Sequence, residues 1–336
     1  MKIGIVNDLK IIAESLRRTV ISTLEHQVIW VANSGPEAID LCARQIPDLI
    51  LMDLIMPGMD GVETIRRIMQ TSPCAILVVT ATVDGSVGMV FDALGVGAID
   101  AIDTPVLSGS GSTEGIRCLL AKIAIIGKII SPTSELITRT RSLALREPGR
   151  KGGWLFAIGT SAGGPAALAE VLGGFPANTP AAFVVIQHLD RHFAPALAEW
   201  LGKQISLPVH LACDGDSPEP GTVLLPSRED HLVLNAQGTL SYTADPKDYV
   251  YRPSIDAFFK SLALYWKSNA VGVLLTGMGR DGAQGLKSMR EAKFLTIAQD
   301  QKTSAVYGMP KAAAQLGAAE RILPLSEVGP TLHRLL

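Results

Sequence analysis

From residue 3 onward, short runs of β-branched and aliphatic residues alternate with longer stretches whose apolar positions recur at helical spacing. In the first part of the chain, the runs at 3–7, 28–32, 48–53, 75–80 and 98–102 predict strands. Amphipathic stretches near 10–25, 36–45, 61–70, 86–94 and 114–130 predict the helices between and after them. Strand–helix pairs repeated in this way describe a parallel sheet covered by helices on both faces. The alternation stops at 131–152, a stretch rich in Ser, Thr, Arg and Pro with five basic and two acidic residues. It resumes at 154, with strands expected near 154–159, 181–187, 271–275 and 294–299. Helices are expected near 164–173, 193–203, 254–266, 283–291 and 326–335. Residues 208–243, broken by Gly and Pro, read as a hairpin-bearing insertion or a sheet edge. The fold class expected is α/β: two doubly wound parallel-sheet domains, 1–130 and 153–336, joined by a solvated linker over 131–152.

Composition narrows the class. The 336 residues are 47% hydrophobic and 18% charged, enough for two cores and too apolar for a disordered chain. Basic and acidic residues number 30 and 32, a net charge of −2. Without a positive surplus, no binding to nucleic acid or to an anionic membrane surface is expected. No apolar run approaches the ~20 residues of a membrane span, so no membrane insertion is expected. The strand pattern at residue 3 leaves no place for an export signal, and a cytoplasmic protein is expected. Cys42, Cys74, Cys118 and Cys213 lack Cys-x-x-Cys spacing and are expected as reduced, buried small hydrophobes.

Open parallel sheets carry their functional residues just beyond the carboxyl ends of the strands. In the first domain those ends are Asn7-Asp8, Asp53, Thr80 and the turn Asp103-Thr104-Pro105. Two carboxylates and an amide at one sheet edge, with no basic partner nearby in sequence, repel one another unless a cation lies between them. Hard oxygen ligands suit Mg²⁺, and a carboxylate beside that ion can accept a phosphoryl group. A single Asp there is as easily a turn or cap residue; the set is harder to explain that way. Residues 1–130 resemble a response-regulator receiver domain, with Leu-Met-Asp-Leu-Ile-Met-Pro-Gly-Met-Asp-Gly (51–61) matching the phosphoacceptor segment. The resemblance implies a flavodoxin-like fold with Asp53 as phosphoacceptor and Thr80 as switch hydroxyl. It also implies Mg²⁺ for phosphorylation, bound by Asp8, Asp53 and the carbonyl of Ile55. Two positions depart from the family: Asn7-Asp8 replaces an acidic pair, and Thr104 stands at the switch position where a lysine is usual.

In the second domain, the strand ending at Ile158 leads into Gly159-Thr160-Ser161-Ala162-Gly163-Gly164-Pro165 and then a helix. Glycines around a serine at a strand-to-helix turn permit a tight, strained path with the hydroxyl exposed above the sheet. Backbone N–H groups at the helix start can stabilise an oxyanion, although the same turn also suits a phosphate cradle. A serine nucleophile needs a base and an orienting acid. His188 closes the next strand, on the same sheet edge, whereas His192 is expected just inside the following helix and His231 in the insertion, both as surface or packing residues. Asp281 lies in Thr276-Gly277-Met278-Gly279-Arg280-Asp281-Gly282 after a later strand, where it is either the acid or a helix N-cap. The order Ser…His…Asp differs from the Ser…Asp…His of α/β-hydrolases.

These motifs, with Gln187-His188, Arg252-Pro253-Ser254-Ile255-Asp256 and Gly308-Met309-Pro310, resemble the catalytic domain of CheB chemotaxis protein-glutamate methylesterases. The resemblance implies a Rossmann-like esterase domain with Ser161, His188 and Asp281 as triad and backbone N–H groups at Ala162 and Met278 as oxyanion hole. The Asn-Asp pair, Asp-Thr-Pro and Tyr-Arg-Pro-Ser-Ile-Asp further resemble the Wsp-type, surface-sensing branch. The activity implied is demethylation of glutamate methyl esters on a methyl-accepting chemoreceptor, releasing methanol, together with deamidation of receptor glutamines. No cofactor is implied for catalysis. A CheA-type histidine kinase is implied as phosphodonor, acting on a receiver that covers the Ser161 edge until phosphorylated. The alternatives are a non-catalytic signalling adaptor binding receptor and kinase, and an esterase acting on small molecules.

Overall fold

The structure is a computed structural model and describes residues 1–80, 83–105, 112–130 and 153–336. The chain divides into two compact units, Met1–Thr133 and Ser134–Leu336. The linker expected over 131–152 lies outside the described residues.

In the first unit, β1 (Lys2–Val6), α1 (Lys10–Ile21), β2 (Gln27–Ala32), α2 (Gly35–Arg44) and β3 (Leu49–Met52) are followed by α3 (Gly61–Thr71), β4 (Ala75–Thr80), α4 (Val83–Gly95), β5 (Asp100–Asp103) and α5 (Ser112–Ile130). All strands are parallel, in the order β2-β1-β3-β4-β5. Every position of β3 and β4 is buried, which is why both read in sequence as unbroken apolar runs rather than alternating ones. Local chemistry sets helix starts: Ser34 Oγ accepts from the N–H of Glu37, and Asp60 Oδ1 from that of Glu63. Caps of this kind contribute ~1 kcal/mol each. The strand order reverses between β1 and β3, opening a crevice beyond their carboxyl ends.

The second unit begins with β6 (Trp154–Thr160), α6 (Gly164–Leu172), β7 (Ala181–Gln187), a 3-10 turn (Arg191–Phe193) and α7 (Ala194–Gln204). Four short strands follow: β8 (Val209–Leu211), β9 (Val223–Leu225), β10 (His231–Leu234) and β11 (Leu240–Thr243). The remainder is α8 (Ile255–Tyr265), β12 (Asn269–Leu274), α9 (Ala283–Glu291), β13 (Leu295–Gln299), α10 (Met309–Gln315), β14 (Arg321–Leu323) and α11 (Leu325–His333). Seven strands form one parallel sheet, β14-β13-β12-β6-β7-β9-β8. Residues 208–243 prove to be both readings at once, since β8 and β9 extend the sheet to its edge while β10 and β11 pair as an antiparallel hairpin. Phe175 and Phe183 meet edge-on with ring centroids 5.1 Å apart, and Phe156 lies 5.3 Å from Phe183. From β6 the sheet grows through β7 on one side and through β12 on the other. The crevice of this doubly wound sheet therefore lies beyond the carboxyl ends of β6, β7 and β12.

Two expectations are corrected. Of the four cysteines only Cys42 is buried, Cys74 is half-buried, and Cys118 and Cys213 are exposed, so they do not behave as a set of core residues. His192 sits in the 3-10 turn before α7, its ring held by the Asp190 carboxylate at 2.7 Å. His231 is fully buried, the packing member of the two expected alternatives. Among the described residues, no helix is long and apolar enough to cross a membrane.

Candidate active site

Ser161 and His188 immediately follow β6 and β7, and Asp281 ends the turn after β12. Backbone hydrogen bonds stitch the three strand ends together. The Ser161 N–H donates to the Thr276 carbonyl and the His188 N–H to the Thr160 carbonyl, both at 3.0 Å. Gln187 Nε2 donates to the carbonyls of Ser161 and His188, again at 3.0 Å, while Thr276 Oγ1 donates to the Ala162 carbonyl at 2.8 Å. The strained position of the serine turn is Gly163, at φ +80°, and Ser161 itself keeps an ordinary φ. At Gly277 a Cβ would lie 2.8 Å from Ser161 Cβ and 2.7 Å from Met309 Sδ, so only glycine lets the second turn close against the serine. Ser161 is 0% exposed, whereas its motif suggests an exposed hydroxyl.

His188 Nε2 lies 2.7 Å from Asp281 Oδ2, and the two side chains are 6% and 8% exposed. An ionised carboxylate only accepts, so Nε2 donates this bond, and in the neutral imidazole Nδ1 keeps its lone pair. That Nδ1 and Ser161 Oγ are both buried with no hydrogen-bond partner among the described residues. A free basic nitrogen and a free hydroxyl thus sit on adjoining strand ends. The N–H groups of Ala162 and Met278, on the two turns beside Ser161, likewise have no acceptor among the described residues.

Asp281 does more than hold His188. Besides His188 it accepts from Ser254 Oγ at 2.8 Å, from the Ile255 N–H at 2.7 Å and from the Asp256 N–H at 3.1 Å. Burial opposes its charge, yet the hydrogen bonds from His188, Ser254 and Ile255 outweigh that and hold its carboxyl below the usual range. His231 supports the arrangement from behind: its Nδ1 accepts from the Ser254 N–H at 3.1 Å, and its Nε2 donates to the Pro246 carbonyl. Tyr251 stacks on the His188 ring, centroids 3.8 Å apart and planes 10° from parallel. Ser254, Tyr251 and His231 were not singled out in sequence as parts of this site. The Tyr-Arg-Pro-Ser-Ile-Asp motif was the available signal for two of them.

In the first unit the residues singled out also converge. The Asp53 N–H donates to the Val6 carbonyl and the Thr104 N–H to the Thr80 carbonyl, drawing four strand ends together. Asn7 Nδ2 donates to Asp53 Oδ2 at 2.9 Å, and the Ile55 N–H to Asp53 Oδ1 at 3.3 Å. Burial, and then the negative charge of Asp8, raise the Asp53 carboxyl above its ordinary value despite the backbone donors. Thr80 Oγ1 is buried with no partner among the described residues. Like-charged oxygen donors beside an unused hydroxyl fit a hard cation and an added anionic group.

Known proteins bear on both units. The response regulator receiver domain family matches residues 3–109, and the CheB methylesterase family matches residues 156–332. A protein-glutamate methylesterase/protein-glutamine glutaminase of Mesorhizobium japonicum is 53% identical over 331 residues, spanning 98% of this chain and 97% of its own. The enzyme of that name from the group 3 operon of Pseudomonas putida is 54% identical over 332 residues, covering 99% and 98%. The crystal structure of the Thermotoga maritima CheB methylesterase catalytic domain, 32% identical, covers 55% of this chain and 100% of that one with a TM-score of 0.52. A receiver unit followed by a serine, histidine and aspartate on three neighbouring strand ends, and full-length likeness to these relatives, place this chain in the CheB methylesterase family.

Proposed function

We propose that this chain is a protein-glutamate methylesterase and protein-glutamine glutaminase acting on a chemoreceptor, with Ser161, His188 and Asp281 as its triad. The observation that carries the reading is the 2.7 Å His188–Asp281 bond together with a buried, unpartnered His188 Nδ1 and Ser161 Oγ. Ser161 Oγ attacks the side-chain carbonyl of a glutamate methyl ester while its proton passes to His188 Nδ1. Asp281 stabilises the imidazolium through Nε2, and the N–H groups of Ala162 and Met278 receive the oxyanion. The proton leaves with methanol, or with ammonia when the substrate is glutamine. Water, activated by the same nitrogen, then cleaves the acyl-enzyme to glutamate.

The first unit regulates this chemistry, with Asp53 as phosphoacceptor and a histidine kinase as phosphodonor. Asp8, Asp53 and the Ile55 carbonyl would hold Mg²⁺, which when bound supplies positive charge to phosphoryl oxygens. Thr80 offers the incoming group its free hydroxyl. Methanol release from methylated receptor membranes tests the enzyme reading: the wild type releases methanol, and Ser161→Ala lowers the rate by on the order of 10³-fold or more. Undiminished release by a folded Ser161→Ala would remove the serine-nucleophile reading and leave the adaptor.

A further inference from the structure

The Tyr251 side chain touches two parts of the site at once. Its ring lies face to face with the His188 imidazole, centroids 3.8 Å apart and planes within 10°. Its hydroxyl donates to the Met278 carbonyl at 3.2 Å. We infer that Tyr251 is a positioning residue of this active site, one that holds the base and the oxyanion turn in register through a single rigid side chain. The inference rests on the triad reading above.

Three physical effects follow from the geometry. Tilting His188 out of the plane of its Asp281 bond drives the imidazole into the phenol ring, so the stack restricts the motion that would misdirect Nδ1. The restriction adds to the hydrogen bond, which fixes only one edge of the ring. When Nδ1 takes the proton of Ser161, the imidazole becomes a cation lying on the negative face of an aromatic ring. That attraction exists only after proton transfer, and such interactions accelerate a chemical step. The hydroxyl meanwhile pins the carbonyl of Met278, whose own N–H lies on the turn beside Ser161. Tyr251 is half-buried.

The test uses the full chain, methylated receptor membranes and three variants. Tyr251→Phe keeps the stack and loses the tether, and kcat for methanol release should fall by about 3–10-fold. Tyr251→Leu loses both, and kcat should fall by roughly a further 10-fold. KM should stay within about twofold in each, as expected for an interaction realised at the transition state. In NMR spectra the His188 Hε1 signal, shielded by the tyrosine face, should move downfield in Tyr251→Leu and stay in place in Tyr251→Phe. A wild-type kcat in Tyr251→Leu, a loss carried by KM alone, or an unmoved His188 signal would each overturn the inference. Ser161→Ala, run in parallel, separates the two failures. If it is inactive while Tyr251→Leu is normal, the triad stands and the positioning role falls; if it is active, the triad itself is wrong.

Discussion

The carboxylate of Asp281 accepts four hydrogen bonds, and three of them come from the start of α8 rather than from His188. Removing it therefore strands several buried donors, whereas removing Ser161 Oγ strands none. Asp281→Ala should cost ~3–5 kcal/mol of stability, because breaking one side of a buried charged network leaves the other uncompensated. Asp281→Asn keeps an acceptor and should cost less, about 1–3 kcal/mol, while still losing most activity. Ser161→Ala, which deletes a buried unpaired hydroxyl, should melt at or above the wild-type temperature. Urea unfolding of the three variants checks the order. In sequence Asp281 read as either an orienting acid or the cap of its own helix. The structure shows the capping role, but the helix whose first N–H groups it receives is α8, whereas α9 begins on Gly282 in the left-handed region. Spacing along the chain carries no sign of that exchange.

Helices α8 and α9 hold each other's beginnings. Asp281, just before α9, accepts from the first turn of α8, and Asp256, in that first turn, accepts from the Gly285 N–H at 2.6 Å. Both carboxylates profit from the positive ends of the helices, but each also feels the other. Burial first, and then the charge of Asp281, push the Asp256 carboxyl up to about 7. A carboxyl raised in the folded state is protonated there while already ionised in the unfolded chain, so stability falls as pH rises between the two values. Asp256→Asn should thus gain on the wild type from about pH 4 to pH 7 and level off above, read from melting temperatures across that range. Asp281 works with the opposite sign: its lowered carboxyl contributes stability that is lost as pH drops below the ordinary carboxylate range. The strands and helices themselves were mostly legible, because buried parallel strands must be continuous apolar runs. The exceptions, α10 and β14, span seven and three residues, too short to express a period.

At the scale of the molecule, two doubly wound sheets each gather chemistry at their carboxyl edges, one around Asp53 and one around Ser161. Strand ends in sequence were enough to locate both gatherings, since topology alone dictates where such crevices open. Which atoms meet inside them was not legible, because Asn7 on Asp53 and Tyr251 on His188 are contacts made through space. The receiver carries Thr104 where a charged partner for the phosphoryl group is usual, and a neutral donor provides roughly half the strength of a charged one. Thr104→Lys should then raise the activation of methanol release by a small phosphodonor several-fold, by supplying contacts that differ between the two states. Strong activation of the wild type with no gain in Thr104→Lys would show that the missing cation is not limiting. Activity without phosphodonor should be the same in both.

The exchange of carboxylates between α8 and α9 bears on how this lineage can change. A descendant that abandons catalysis can replace Ser161 at little structural expense, since that hydroxyl has no hydrogen-bond partner among the described residues. It cannot as readily replace Asp281, which the fold needs whether or not an ester is ever cleaved. Decay of the activity should leave an asymmetric fossil: Ser161 drifting first, Asp281 persisting as scaffold. Retention of Asp281 is therefore a poor marker of a working enzyme, and retention of Ser161 a good one.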